Sequence, residues 1–183
     1  MKKLLIPVFA VVAMAFSSQV YAQKNPMVGG AAMYANKDIV DNAVNSKDHT
    51  TLVAAVKAAG LVETLKSAGP YTVFAPTNEA FDKLPAGTVE TVLKPENKAM
   101  LTKILTYHVV AGKMDAKAIA KAIKAGSGKA ELTTVSGDKL WAAMEGDKLI
   151  LTDEKGGMAT VTIANVMQKN GVIHVIDTVL MPN

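Results

Sequence analysis

The sequence predicts an α+β domain in which short helices fill the first half of the chain and an antiparallel series of strands fills the second. Two observations predict this layout. Before residue 126, apolar side chains recur at helical spacing between Gly and Pro breaks; after it they alternate with a period of two between turn residues. A run of helices followed by a run of strands is typical of an α+β fold. The 183 residues, half of them apolar, suffice for one domain with its own core.

Residues 1–22 have the three parts of a secretory signal. A positively charged start precedes an apolar run over residues 4–16, which gives way to polar residues, and Ala22 occupies the last position of a cleavage site. We predict cleavage between Ala22 and Gln23. A membrane anchor is the alternative, but the apolar run is too short to span a bilayer. The mature protein is therefore expected in the periplasm or outside the cell.

The helical half begins after residues 23–35, whose Pro and Gly content we interpret as a flexible linker before a domain at residues 36–183. Helices are predicted at residues 38–45, 48–59, 61–66, 88–93, 95–105 and 115–125. The last of them is rich in Lys and Ala. Because only Ile119 and Ile123 form its apolar line, we expect this helix to lie on the surface.

Strands are expected mainly in the second half of the chain. They are predicted at residues 107–110, 130–135, 139–145, 148–152, 158–164 and 171–176. The last strand is nearly all β-branched and should be central in its sheet. One earlier strand lies within residues 71–81: it stops at Pro76 and turns straight into a helix that Thr77 or Asn78 can cap.

The composition excludes several classes of protein. All 20 basic residues are Lys, and they are interleaved with 16 acidic residues. Bidentate recognition of phosphate is mainly a property of Arg, so we do not expect nucleic-acid binding. The chain has no Cys, which excludes disulfides, thiolate nucleophiles, Cys-ligated metals and a lipid anchor on an N-terminal Cys.

Three stretches together resemble the signature motifs of the fasciclin (FAS1) domain. They are residues 72–81, Tyr107-His108 within residues 104–110, and residues 170–177 with the following 179–182, in the family's order and spacing. The resemblance covers about residues 36–182. It implies a wedge-shaped antiparallel β-sandwich with a layer of short helices packed on it. It also implies a role in adhesion or extracellular interaction, without general catalytic chemistry. The family's integrin-linked Asp-Ile pair is not carried over, because residues 163–165 read Ile-Ala-Asn here.

The three histidines leave two interpretations open. His108 and His174 sit inside apolar strands, where they could form a metal or general-base pair, or could be neutral rings that satisfy buried polar groups near Thr77 or Asn78. The resemblance favours the structural interpretation. His49 follows a predicted helix cap and is expected to be exposed.

Catalytic motifs are not found in the sequence. No Ser lies in a nucleophile elbow, no Gly-rich phosphate loop is present, and the pair Asp153-Glu154 is interpreted as solvated charge in a turn. We therefore expect no enzyme, no cofactor and no metal.

The sequence thus predicts an exported adhesion protein that binds a surface protein or polysaccharide, without a membrane span after signal removal. A periplasmic binder of a small ligand or of envelope glycan is the alternative. Tyr107 and His108 are the predicted interaction residues, because the family's central motif has been tied to interaction. A single domain should bind weakly, so adhesion would need several sites, for instance through weak homo-oligomers. The three motifs are expected to meet in space.

Overall fold

The computed structural model describes residues 25–183, so the predicted signal peptide and its cleavage site at Ala22 and Gln23 lie outside the described residues. The helices of the described part are α1 (Ile39–Ala43), α2 (Thr50–Ala59), α3 (Val62–Lys66), α4 (Asn78–Asp82), α5 (Thr88–Val92), α6 (Lys98–Tyr107) and α7 (Ala116–Ala125). Short 3-10 turns at Lys47–His49 and Pro95–Asn97 precede α2 and α6. Among residues 25–183, no helix has the length and apolar character needed to cross a membrane.

The strands confirm the predicted α+β layout. They are β1 (Met27–Val28), β2 (Ala31–Ala32), β3 (Tyr71–Pro76), β4 (Val109–Ala111), β5 (Lys129–Thr133), β6 (Lys139–Glu145), β7 (Lys148–Thr152), β8 (Met158–Gln168) and β9 (Gly171–Ile176). Six of the seven helices precede β4, and five of the nine described strands follow α7. The change of period near residue 126 therefore marks a real change of secondary structure.

Seven strands form one sheet in the order β4-β3-β9-β8-β7-β6-β5. Val110 of β4 also bridges Thr134, just beyond β5, so the two ends of this order approach each other and the sheet closes toward a barrel-like sandwich. The expectation of a wholly antiparallel sheet is wrong for one pair, because β3 runs parallel to β9 from Tyr71↔Gly171 to Pro76↔Ile176. Parallel neighbours need a long crossover, and here most of the chain lies between the two strands.

β9 is a central strand, as its β-branched sequence predicts, and all six of its residues are buried. Alternate residues serve two separate cores, because successive side chains point to opposite faces of a sheet. Ile173 and Val175 join the first core, beneath α1, α2 and α6, whereas Ile176 joins the second core, beneath α7. In β3, Val73 and Phe74 divide in the same way.

The corner after β3 anchors two helices. Thr77 is the cap of α4, and its Oγ1 accepts a hydrogen bond from the Ala80 N–H at 3.3 Å. Asn78 holds the start of α2 instead: its Oδ1 accepts from the Thr51 N–H at 3.0 Å, and its Nδ2 donates to the Lys47 carbonyl at 2.8 Å. The corner thus joins the sheet to the helical layer.

The segment expected to be a flexible linker forms part of the fold where the structure describes it. β1 and β2 pair as a small hairpin. Val28 and Met33 belong to the first core and are only 4% and 2% exposed. The Lys47 N–H also donates to the Gly29 carbonyl at 3.1 Å. The linker prediction is therefore corrected for residues 25–35, because this polar and Gly-rich sequence carries two side chains that the core takes up.

Candidate functional site

The predicted interaction residue Tyr107 lies at the end of a helix and not in a strand. α6 runs through Tyr107, and only Val109 begins β4. The ring is fully buried; its hydroxyl donates to the Lys139 carbonyl at 2.7 Å and accepts from the Glu154 N–H at 3.3 Å. Burial raises the pKa of Tyr107 to about 12. This side chain ties α6 to the strands on the far side of the second core.

His108 follows directly and is also enclosed, with 3% of its surface exposed. The Leu180 N–H donates to Nε2 at 3.0 Å, so the proton must reside on Nδ1, which donates to the Ile104 carbonyl at 2.8 Å. Burial lowers the pKa of His108 to about 4. Both ring nitrogens are occupied and the ring is neutral. This burial argues against direct contact of Tyr107 or His108 with a partner.

The other two histidines also have structural positions. The Nε2–H of His174 donates to the Met114 carbonyl at 2.9 Å, and its ring stacks on Phe74 with centroids 5.7 Å apart. The expected bonds from His108 or His174 to Thr77 or Asn78 are therefore not formed. His49, expected to be exposed, is 3% exposed, and its Nδ1 lies 2.8 Å from the Ser46 hydroxyl. In the part of the chain that the structure describes, no three His, Asp or Glu side chains cluster as metal ligands would.

Asp153 is a buried anchor, and its interpretation as solvated turn charge is wrong. The residue is 4% exposed. Its Oδ1 accepts from the N–H groups of Lys155 and Gly157 at 3.0 and 2.6 Å, and its Oδ2 accepts from the Met181 N–H at 2.9 Å. Three amide donors replace the water that a turn carboxylate would otherwise bind. Asp153 therefore fixes the β7–β8 turn to the end of the chain.

The outer face of α7 is a candidate surface for contact with a partner. Lys117, Lys121 and Lys124 are spaced i, i+4 and i+7, so they project from one side of the helix, and all three are exposed. Within residues 25–183, the ion pairs involve other lysines. We call these three residues the α7 lysine face.

The fold holds this face rigidly from below. Ile119 and Ile123, on the opposite side of α7, are 0% and 4% exposed in the second core. Asp115 caps the helix through a 2.7 Å bond from the Ala118 N–H, and Asn165 accepts from the Ala116 N–H at 2.7 Å. The prediction of a surface helix on a thin apolar line is confirmed. What sequence reasoning missed was the 3.6-residue spacing of the lysines, which concentrates their charge on one side.

Comparison with known proteins matches the sequence model of the fasciclin domain to residues 47–182, which is most of the chain. This chain belongs to the fasciclin domain family. Its curated relatives include protein sll1483 of Synechocystis, 47% identical over 87% of this chain and 82% of the relative. Immunogenic protein MPB70 of Mycobacterium bovis is 37% identical over 88% of this chain and 78% of the relative. Cell surface glycolipoprotein MPB83 of the same species is also 37% identical, over 88% of this chain and 69% of the relative.

The structure of this fasciclin domain also resembles a solved one. A FAS1 domain pair from the insect cell adhesion molecule fasciclin I superposes with a TM-score of 0.57 at 25% identity, covering 76% of this chain and 45% of that chain. The fold that the three sequence motifs imply is thereby confirmed. The motifs meet in and beside the adjacent strands β4, β3 and β9. The Phe74 N–H donates to the His108 carbonyl at 2.9 Å, and the Tyr71 N–H donates to the Asn170 carbonyl at 3.0 Å.

Proposed function

We propose that this fasciclin domain is an exported, non-catalytic adhesion protein that holds an anionic polysaccharide of the cell surface or matrix on the α7 lysine face. The observation that carries the proposal is the line of three exposed lysines on one rigid helix. Relatives described as a cell surface glycolipoprotein and as a cell adhesion molecule support the adhesive role. The secretory signal predicted in residues 1–22 supports export.

The chemistry of the face suits a flexible polyanion. Each Lys presents a compact, hydrated point charge on a flexible stem, so it attracts carboxylate or sulfate groups without demanding one geometry. Three such charges at helical spacing form a positive strip some 10 Å long, since α7 rises about 1.5 Å per residue. Binding through this strip should be weak, sensitive to salt and strengthened when several domains hold one polymer.

The neutral ring of His108, hydrogen-bonded through both nitrogens, supports a non-catalytic role. A general base needs a free lone pair that can reach a substrate, and both ring nitrogens of His108 are already engaged with backbone groups. A glycan pocket, the alternative, would need converging polar side chains. The cavity beneath the helices is lined almost wholly by carbon, which disfavours a sugar ligand there.

The test is a binding assay on an immobilised acidic polysaccharide such as polygalacturonate. The variant Lys117→Gln/Lys121→Gln/Lys124→Gln keeps the helix propensity of α7 but removes the charges. At roughly 0.5 kcal/mol per exposed charge contact, the three substitutions should weaken binding about tenfold at low salt. The wild-type affinity should fall as salt rises, and the variant should show a shallower dependence.

A matched control removes three exposed lysines from elsewhere on the surface. The variant Lys94→Gln/Lys148→Gln/Lys155→Gln has the same net charge as the α7 variant but leaves the α7 lysine face intact. Equal loss of binding by both variants would refute a localised site, since net charge alone would then explain the attraction.

N-terminal sequencing of the exported protein should begin at Gln23; retention of residues 1–22 would contradict the predicted cleavage.

A further inference from the structure

An apolar cavity of about 70 Å³ lies between the helical layer and the sheet. Its floor is the helix-facing side of β3 and β9, where Val73 and Ile173 are buried, and its walls come from α1, α2, α3 and α6. Nothing in the proposed polysaccharide contact uses this space. It lies in the first core, whereas α7 covers the second.

The cavity lining that α1, α2 and the start of α3 contribute is partly accessible to solvent, and we place the entrance there. Four aliphatic side chains that line it are only half-buried: Val40, Val53, Leu61 and Val62. Partly exposed aliphatic groups from three separate helices thus surround the entrance. Exposed apolar groups that are grouped around a cavity, and not scattered singly, mark a place where an apolar ligand can enter.

Water gains little inside, because the buried or half-buried polar groups of the lining already have hydrogen-bond partners. The ring nitrogens of His108 bind backbone groups, the Thr106 hydroxyl donates to the Thr102 carbonyl at 2.7 Å, and the Tyr71 hydroxyl lies 2.8 Å from Ser67 Oγ. A cavity that offers no unsatisfied partner to water stays dry and prefers hydrocarbon. The interior therefore selects an apolar group.

The volume of the cavity and the charge at its rim restrict the kinds of ligand that fit. An engineered cavity of about 150 Å³ holds a benzene ring, so a space about half as large encloses only the last few methylenes of a slender alkyl chain. At the rim, Lys57 is exposed and lines the cavity, and within residues 25–183 its ammonium group is absent from the ion pairs. An alkyl chain that enters between α1 and α2 would place its polar end near this charge.

We propose that the cavity binds the end of one straight alkyl chain that carries an anionic headgroup. The terminal methylenes would lie against β3 and β9, the rest of the chain along the half-buried aliphatic side chains at the entrance, and the headgroup beside Lys57. Fatty acids and single-chain phospholipids share this chemistry. The site would let an exported domain carry a single-chain lipid or hold the end of one that protrudes from a membrane.

The test is isothermal titration calorimetry on the mature protein after any bound lipid has been extracted. Dodecanoate, dodecyl phosphate and dodecanol are each titrated into the protein at concentrations below their aggregation limits. We expect saturable one-to-one binding of at least one anionic ligand, and weaker binding of dodecanol. The anionic ligand that binds more tightly identifies the headgroup class, carboxylate or phosphate. Absence of saturable binding by both anionic ligands would overturn the proposal.

Two variants locate the ligand. Ala43 lines the cavity and is half-buried, so Ala43→Leu should fill the entrance, weaken binding of all three ligands at least tenfold and leave the melting temperature unchanged or higher. Lys57→Gln should weaken only the anionic ligands, about three- to tenfold, while the control Lys94→Gln should change nothing. Wild-type binding by a folded Ala43→Leu protein would refute the cavity as the site, and wild-type binding of both anionic ligands by Lys57→Gln would refute the headgroup contact.

Discussion

The buried neutral state of His108 should make the fold sensitive to acid. The ring is completely enclosed, and burial holds its pKa at about 4, against 6.5 for an unperturbed histidine. In the unfolded chain the same ring takes up a proton as the pH falls through 6.5, whereas in the folded protein it stays neutral down to about 4. The unfolded state therefore binds more protons in this window, and folding stability falls as the pH falls.

The size of the effect follows from the width of the window. Each pKa unit corresponds to about 1.4 kcal/mol, so His108 alone should remove about 3 kcal/mol of folding free energy between pH 6.5 and 4. This is a large part of the 5–15 kcal/mol typical of a domain. The structural reason is specific: a protonated Nε2 would direct its N–H against the Leu180 N–H, which now donates to it.

Urea unfolding at half-unit pH steps between 4 and 8 measures this loss. His49 and His174 also have lowered pKa values, chiefly through burial, so the wild-type slope includes them and the carboxylates. The variant His108→Gln cannot take up a proton at this site. It should be less stable than wild type at pH 7, but the gap should shrink by about 3 kcal/mol on going to pH 4. Parallel stability curves for the two proteins would refute the assigned protonation state.

Two further predictions concern residues that the sequence alone misplaces. Asp153→Asn should lower the free energy of unfolding by about 2–4 kcal/mol, because three backbone amides lose a charged acceptor. The control Asp147→Asn, in the exposed β6–β7 turn, should change the free energy of unfolding little. Equal effects of the two substitutions in urea unfolding would contradict the anchoring role. Met33→Ala should lower the free energy of unfolding by about 2–4 kcal/mol, because removal of the buried side chain leaves a cavity. Met27→Ala, at a side chain that is 59% exposed, should change the free energy of unfolding very little. A melting temperature unchanged by Met33→Ala would restore the flexible-linker interpretation.

The elements that could be predicted are those whose local pattern agrees with their tertiary environment. β9 reads as a central strand because its β-branched side chains suit burial on both faces. Gly60 ends α2 in the left-handed conformation, with φ of 74°, as a helix-terminating glycine should. At Thr77, the cap residue and the helix that follows it are adjacent in sequence, so no distant contact is needed to place them.

The wrong predictions concern features that depend on contacts between distant parts of the chain. The parallel pairing of β3 with β9 joins residues about 100 apart and leaves no local signal. The misplaced His49 and the misread linker are one error, because Val28 and Met33 of the hairpin line the same small space as His49. When residues 25–35 are taken as a linker, part of the cover of that histidine is lost, and no local pattern around residue 49 indicates its burial.

Tyr107 and His108 show that the residues of a signature motif can be buried parts of the fold. The motifs lie in β4, β3 and β9 and at their ends, where they hydrogen-bond to one another and divide the interior into two cores. Residues in this position are enclosed on every side, so we expect a partner to contact groups that the fold leaves free. The α7 lysine face and the cavity near Lys57 are such groups, and they belong to different cores on opposite sides of β3. If both proposals hold, a domain bound to a polymer through α7 would keep the cavity entrance free for a second, chemically different ligand.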